Sequence, residues 1–239
     1  ESVHARGRAA MALALMDGFI QPSEKLAENI ALCTTCGWCR ERCPSNSVYE
    51  FVEVKKLLID VPKIVETFRE ELMKTGYGPI GAHKQLAAFI HNEYNPLGEP
   101  KLDRLKWLPS DIKRTEKADT VYFTGCMASY REQGTATSTV RILKKAGIDF
   151  TILSDEKCCG SILLRTGLVD QAKELAEGFS SSIKQSGAKK VVTSCAGCYR
   201  TIRLDYPKII GKLDFEVLHL SELLNELIRE GKILPRRIN

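Results

Sequence analysis

Two cysteines stand side by side in "EKCCGS", residues 156–161, and that adjacency constrains the fold more than any other feature of the chain. Neighbouring Cα atoms lie ~3.8 Å apart across a trans peptide, below the ~4.4–6.8 Å window that disulfides prefer. Cys158 and Cys159 are therefore not partners of each other. The full count is 9 cysteines in 239 residues, an odd number that argues against a closed disulfide framework. No convincing signal peptide supports one either. The stretch "AAMALALMDGF" after Arg6 and Arg8 has an apolar look, but it lacks a cleavage site and Asp17 interrupts it, so it reads as an amphipathic helix. These thiols are expected to be metal ligands in a reducing compartment.

The cysteines separate into two patterns. The first is Cys33-x2-Cys36-x2-Cys39-x3-Cys43-Pro44, spelled "CTTCGWCRERCP". This is the bacterial ferredoxin run, whose thiolates hold the irons of a [4Fe–4S] cubane. Tight spacing lets three ligands wrap one face of a cluster, and the proline redirects the chain after the fourth. The competing reading is zinc, but zinc ribbons use CxxC pairs separated by a longer stretch. The second pattern is dispersed: Cys126, then Cys158 and Cys159, then Cys195 and Cys198. Each group follows a predicted strand, in "VYFTGC", "FTIL…CC" and "VVTSC". In open parallel sheets the carboxyl ends of the strands share one edge, where ligands bind. Cysteines remote in sequence are thus expected to converge in space. Five thiolates exceed the needs of one tetrahedral zinc. The adjacent pair could ligate, or bridge, two different irons of one cluster. Gly125, Gly160 and Gly197 would let backbone approach inorganic sulfides closely. The bland alternative is a set of buried structural cysteines, since free cysteine favours cores.

The chain changes character near residue 118. Residues 1–116 read as a helical iron–sulfur domain with a connecting segment, and residues 117–239 as an α/β domain with a parallel sheet. Helices are predicted in "SVHARGRAAMALALMDG", in "VYEFVEVKKLLI" behind a capping box of Ser47 and Glu50, in "PKIVETFREELMK" and in "PIGAHKQLAAFIHNE". "NPLGEPKLDRLKWLP", with three prolines and a glycine, reads as a connector. Beyond it, "ADTVYFTGC", "IDFTIL", "KKVVTSC" and "FEVLHL" are strand-like and alternate with helical stretches, the pattern of a parallel sheet.

The spacing C-x31-CC-x35-C-x2-C resembles the cysteine-rich CCG domain of heterodisulfide reductases and related iron–sulfur oxidoreductases. "CTTCGWCRERCP", "NPLGEP", "YFTGCMASYR", "EKCCGS" and "SCAGCYR" all look like landmarks of that family. An α-helical ferredoxin-like domain followed by a CCG domain is similar to the D-type subunit of heterodisulfide reductases. It is also similar to iron–sulfur subunits of glycolate, lactate and anaerobic glycerol-3-phosphate dehydrogenases. The resemblance implies a noncubane [4Fe–4S] cluster held by Cys126, Cys158, Cys159, Cys195 and Cys198, and makes these five the catalytic candidates. Cys33, Cys36, Cys39 and Cys43 are the ligand candidates for the cubane. Such proteins usually carry two ferredoxin runs and two CCG modules, and this chain has one of each. In two-cluster ferredoxins the fourth cysteine of a run serves the other cluster. Cys43 would then either belong to an upstream cluster absent here or close its own, and the start at Glu1 suits an excised piece.

The formal charge of +5 invites a nucleic-acid reading. Metal-bound cysteines are thiolates, however, and two cluster cores return only roughly +4 against them, so a loaded protein sits near zero. No nucleic-acid partner is expected. The expected partners are other redox subunits, a cytochrome b or a flavin or iron–sulfur subunit, together with a small thiol or disulfide substrate. No apolar run reaches the ~20 residues that span a bilayer. The expectation is a cytoplasmic protein that meets a membrane only through a partner. Three functions compete: disulfide reduction, electron relay for a flavin-dependent 2-hydroxy acid or glycerol-3-phosphate dehydrogenase, and a zinc-binding scaffold. Among other residues, Trp38 is expected to shield the cubane and His219 to stand at a helix entry. Glu156 and Lys157 are read as a solvated loop pair.

Overall fold

Four short strands form one parallel sheet: β1 (Thr120–Phe123), β2 (Phe150–Thr151), β3 (Lys190–Thr193) and β4 (Glu216–His219), in the order β2-β1-β3-β4. The computed structural model describes residues 3–43 and 59–234. Period-2 alternation sends neighbouring side chains to opposite faces. Tyr122, Val192 and Leu218 enter one core, and Val121, Phe123, Val191 and Val217 enter the other. Both faces are buried, which explains strands that read as continuous apolar runs rather than alternating ones.

Helices α7 (Gln133–Lys145) and α12 (Leu220–Arg229) cover the first face. Ala136, Val140 and Leu143 of α7 recur at helical spacing and are fully buried, as Leu223 and Leu227 of α12 nearly are. After the short helix α8 (Ser161–Thr166), helix α9 (Val169–Ser186) covers the second face through Ala176 and Ile183. It is joined there by Ile202, within a π-turn at Thr201–Asp205, and by Tyr206 just after it. That turn links the short helices α10 (Ala196–Arg200) and α11 (Tyr206–Ile209). Each fully buried Val, Leu or Phe contributes about 1.5–3 kcal/mol relative to exposure. The predicted strand "IDFTIL" pairs over only two residues. It is an edge strand, and the chain leaves the ladder after Thr151 to reach the paired cysteines.

Two units emerge from the packing. The first contains residues 1–85 with 162–169, and the second contains 86–161 with 170–239. Within the first, the helices are α1 (Ala5–Met16), α2 (Glu24–Ala31), α3 (Trp38–Glu41) and α4 (Val61–Lys74). Ser23 caps α2 by accepting from the Leu26 N–H, and Asp60 caps α4 by accepting from the Lys63 N–H. Leu26 and Ile30 of α2 pack with Val61, Val65, Phe68 and Leu72 of α4, the latter at the 3–4 residue spacing of a helix face. Helix α5 (Gly81–Glu93) follows. The helix predicted from the Ser47 capping box lies outside the described residues. Among the described residues, no helix is long and apolar enough to cross a membrane.

The connector after α5 is ordered. Asn95 is fully buried, donating to the Glu93 and Glu99 carbonyls and accepting from the Leu97 and Glu99 N–H groups. Trp107 stacks edge-on against Tyr122 at 6.3 Å and so belongs to the sheet's core. The segment also carries Arg104, whose side chain reaches the site described next.

Candidate metal centre

The strand order places β1 and β3 side by side, with their onward connections departing in opposite directions across the sheet. In open α/β sheets the ligand crevice lies outside the carboxyl ends of strands at such a reversal. Cys126 follows β1 in helix α6 (Gly125–Tyr130), and Cys195 and Cys198 follow β3 at the start of α10. The longer loop after β2 brings Cys158 and Cys159. The thiols form a connected chain: Cys126 donates to Cys158, Cys158 to Cys159, and Cys198 to both Cys159 and Cys195. The structure thus gathers these five residues at one edge. Four are buried and Cys195 is half-buried.

Local chemistry holds them there. The Cys158 N–H donates to the Tyr94 carbonyl at 2.8 Å, and the buried Tyr206 hydroxyl donates to the Cys159 carbonyl at 3.1 Å, so the pair is fixed from both ends. Gly125 has φ +74°, and a Cβ there would stand 3.0 Å from the Cys198 Sγ. Only glycine suits that position. Cys198 donates its N–H to the Cys195 Sγ at 3.5 Å.

The thiols are electrically unequal. Hydrogen bonds from Cys158 and Cys198 lower Cys159 to about 5, and a bond from Cys198 lowers Cys195 to about 5. Cys126 is pushed up by its bond to Cys158 and by burial. Cys158, although Cys126 donates to it, is pushed up by its bond to Cys159 and by burial. Cys198 is pushed up by its bonds to Cys159 and Cys195 and by burial.

Beside them lies a buried ion pair. Arg104 Nη1 meets Glu156 Oε1 at 2.9 Å, with side-chain exposures of 5% and 0%. Arg104 Nη2 donates to the Tyr94 carbonyl at 2.7 Å and to the Cys126 Sγ at 3.6 Å. Glu156 accepts the N–H groups of Thr124 and Gly125 at 2.8 and 3.0 Å, at the head of the helix that carries Cys126. Burial pushes the Glu156 carboxyl up, opposed by Arg104 and by those two N–H groups. The expected solvated loop pair is thereby corrected: Glu156 is buried and only Lys157 is exposed. Arg104 carries no motif, and sequence reasoning passed over it.

As a donor set, the site offers five thiols in a connected chain. Among the described residues, no three His, Cys, Asp or Glu side chains are arranged around a single metal ion. A multinuclear group, whose metals take different thiols, suits a chain of sulfurs better than one ion does. In the same segments Arg104 Nε, Thr124 Oγ1 and Thr201 Oγ1 are buried without a hydrogen-bond partner.

The run of four is built differently. Thr35 and Gly37 adopt left-handed φ of 52° and 83°, coiling the chain between Cys33 and Cys39. Thr35 is β-branched and buried, so this is a strained turn held by its surroundings. Its N–H donates to the Cys33 Sγ at 3.4 Å. The Trp38 N–H lowers the Cys36 thiol, while burial, together with the charges of Cys33 and Cys36, raises Cys39. Cys43 follows at the last described residue before 44–58. Arg69 lies buried behind the turn and donates to the carbonyls of Ile30, Ala31 and Cys33. Trp38, expected to shield the cubane, is 63% exposed among the described residues, with the Arg42 guanidinium 4.7 Å from its ring centre. His219 does stand at a helix entry, where Nδ1 accepts the Ser221 N–H and its own N–H donates to Glu222.

Residues 120–203 match the family model described as a cysteine-rich domain, CCG. The chain is 42% identical over 215 residues to the D-type subunit of the dihydromethanophenazine:CoB–CoM heterodisulfide reductase of Methanosarcina acetivorans, a match covering 88% of this chain and 50% of the relative. It is 31% identical over 226 residues to the EtfAB:quinone oxidoreductase of Syntrophomonas wolfei, covering 88% and 29%. It is 28% identical over 210 residues to a subunit of the fumarate reductase (CoM/CoB) of Methanothermobacter marburgensis, covering 87% and 39%. The chain spans about half the length, or less, of these curated relatives. No solved structure matches.

Proposed function

We propose that this chain is a heterodisulfide-reductase-like iron–sulfur subunit that passes electrons from a [4Fe–4S] centre to a small disulfide. The observation that carries the reading is the gathering of five thiols from three strand ends inside a CCG domain. Cys33, Cys36, Cys39 and Cys43 would hold the first cluster, in a ferredoxin-like arrangement. Cys126, Cys158, Cys159, Cys195 and Cys198 would hold the second, of the noncubane type. When bound, such groups supply electrons singly, at potentials set by their net charge and hydrogen bonding.

Reducing a disulfide to two thiols takes two electrons and two protons. The electrons come from a donor subunit, a cytochrome b or a flavin or iron–sulfur protein. The chain's own residues supply place and environment. The sheet edge presents the paired cysteines, Gly125 keeps backbone close to Cys198, and Tyr94 and Tyr206 hold the pair rigid. Arg104 contributes a fixed positive charge. The similarity to an EtfAB:quinone oxidoreductase favours a second reading, electron relay to or from a flavin partner, with the same two centres.

Adding a thiol substrate to the oxidised, reconstituted chain and following paramagnetic resonance tests the choice. A substrate-dependent signal that disappears in Cys159→Ser supports disulfide chemistry at the five-cysteine site. A signal unchanged by that substitution removes the site from the reaction.

A further inference from the structure

We propose that Arg104 is a positioning residue that sets the reduction potential of the five-cysteine centre, through its hydrogen bond to the Cys126 sulfur and with Glu156 as its counter-charge. The inference rests on these cysteines holding an iron–sulfur group.

Arg104 is 4% exposed, and its guanidinium reaches three elements at once. It meets Glu156 in the loop before the paired cysteines, Cys126 on α6, and the carbonyl of Tyr94. That same carbonyl accepts the Cys158 N–H, so one side chain touches the supports of two cysteine loops. Its central carbon also lies 5.5 Å from the centre of the Tyr130 ring. Tyr94 itself sits at φ 57°, a left-handed conformation rare for a residue with a side chain. Strain of that kind persists where the surroundings over-determine the position.

A buried ion pair is a poor device for stability, since well-packed apolar residues commonly serve as well or better. What it supplies that apolar packing cannot is charge at a fixed place. The arrangement is polarised. The cation meets the sulfur, whereas Glu156 bonds the guanidinium and the Thr124 and Gly125 N–H groups. A reduced cluster carries one more negative charge than an oxidised one. A cation bonded to a ligand sulfur therefore favours the reduced form, and hydrogen bonds and net charge are the protein's levers on such potentials. The run of four makes the contrast. Its buried Arg69 directs its hydrogen bonds to the carbonyls of Arg165, Ile30, Ala31 and Cys33, which positions the turn through backbone.

The test uses the full chain, reconstituted anaerobically and titrated with redox mediators under paramagnetic resonance. Iron and sulfide are counted in every sample. Arg104→Met is expected to lower the midpoint of the second centre. At fixed applied potential the ratio of reduced to oxidised centre falls roughly tenfold, ~59 mV for a one-electron couple. Glu156→Gln removes the opposing charge and is expected to move the midpoint the other way. Arg104→Lys keeps the cation and should stay nearer the parent than Arg104→Met does. A merely structural pair would shift both variants in the same direction, or neither, and either result overturns the proposal. If Arg104→Met loses its cluster, the Glu156→Gln arm decides alone: a midpoint unchanged or lowered overturns it. A parent chain lacking the second complement of iron and sulfide would instead sink the iron–sulfur reading beneath it, and the metal count tells the two failures apart.

Discussion

Cys33, Cys36 and Cys39 sit on a turn that their own spacing builds, whereas Cys126, Cys158, Cys159, Cys195 and Cys198 are delivered by the ends of three different strands. The first site is local. Two left-handed residues, Thr35 and Gly37, coil one short stretch, and Cys36 remains exposed. The second site exists only once the sheet has formed, and four of its five thiols are then buried. The arginines behind them differ in the same sense. Arg69 steadies backbone, while Arg104 touches a thiol. Identical side chains thus acquire unlike surroundings: one set near water on a local loop, the other in a low-dielectric edge with a fixed charge. In the function proposed above, the former would serve as an electron-transfer contact and the latter as the disulfide-reducing centre.

That contrast makes the second site far more sensitive to the loss of a charge. Glu156→Ala strands Arg104 inside the protein and is expected to cost about 3–5 kcal/mol, the usual penalty for breaking a buried pair. Thermal unfolding of the metal-free protein measures it, and a loss below about 1 kcal/mol would show that Arg104 escapes to water. Next in size is Gly167→Ala. A Cβ there would lie 2.7 Å from the backbone carbon of Arg69, at φ +89°. Overpacking and backbone strain together predict roughly 2–4 kcal/mol, with Arg69 displaced from the Cys33 turn. Iron should then be lost from the run of four before the group of five, and the reverse order would contradict the roles given to the two arginines. Smallest is Arg40→Ala beside the first site. Its contacts with Glu41 and Asp60 are exposed, worth ~0.2–1 kcal/mol, and the unfolding temperature should hardly move.

Much of this could be read from residues. "VYFTGC" and "VVTSC" announced buried parallel strands ending in cysteines, because Val121, Tyr122 and Phe123 leave no polar face. Helix α4 declared itself through Pro62 and the spacing of Val65, Phe68 and Leu72. The partners of the thiols were illegible. A Glu–Lys pair in a loop looks solvated, and Glu156 is buried only because an arginine 52 residues earlier comes to meet it. Arg104 sits in a proline-rich connector, where an arginine ordinarily faces water. The exposure of Trp38 on the short helix α3 was equally hidden, because an aromatic within a cysteine run gives no sign of which way it faces. Pairings across such distances have no periodicity to betray them.

The most direct check on the two-site account is a metal count on the parent chain and on Cys159→Ser, both reconstituted anaerobically. The parent should hold about eight irons with matching sulfide, if both groups are four-iron clusters, and the variant about four, keeping the resonance of the run of four. A variant that retains the full iron content, or a parent that binds zinc without sulfide, would contradict it.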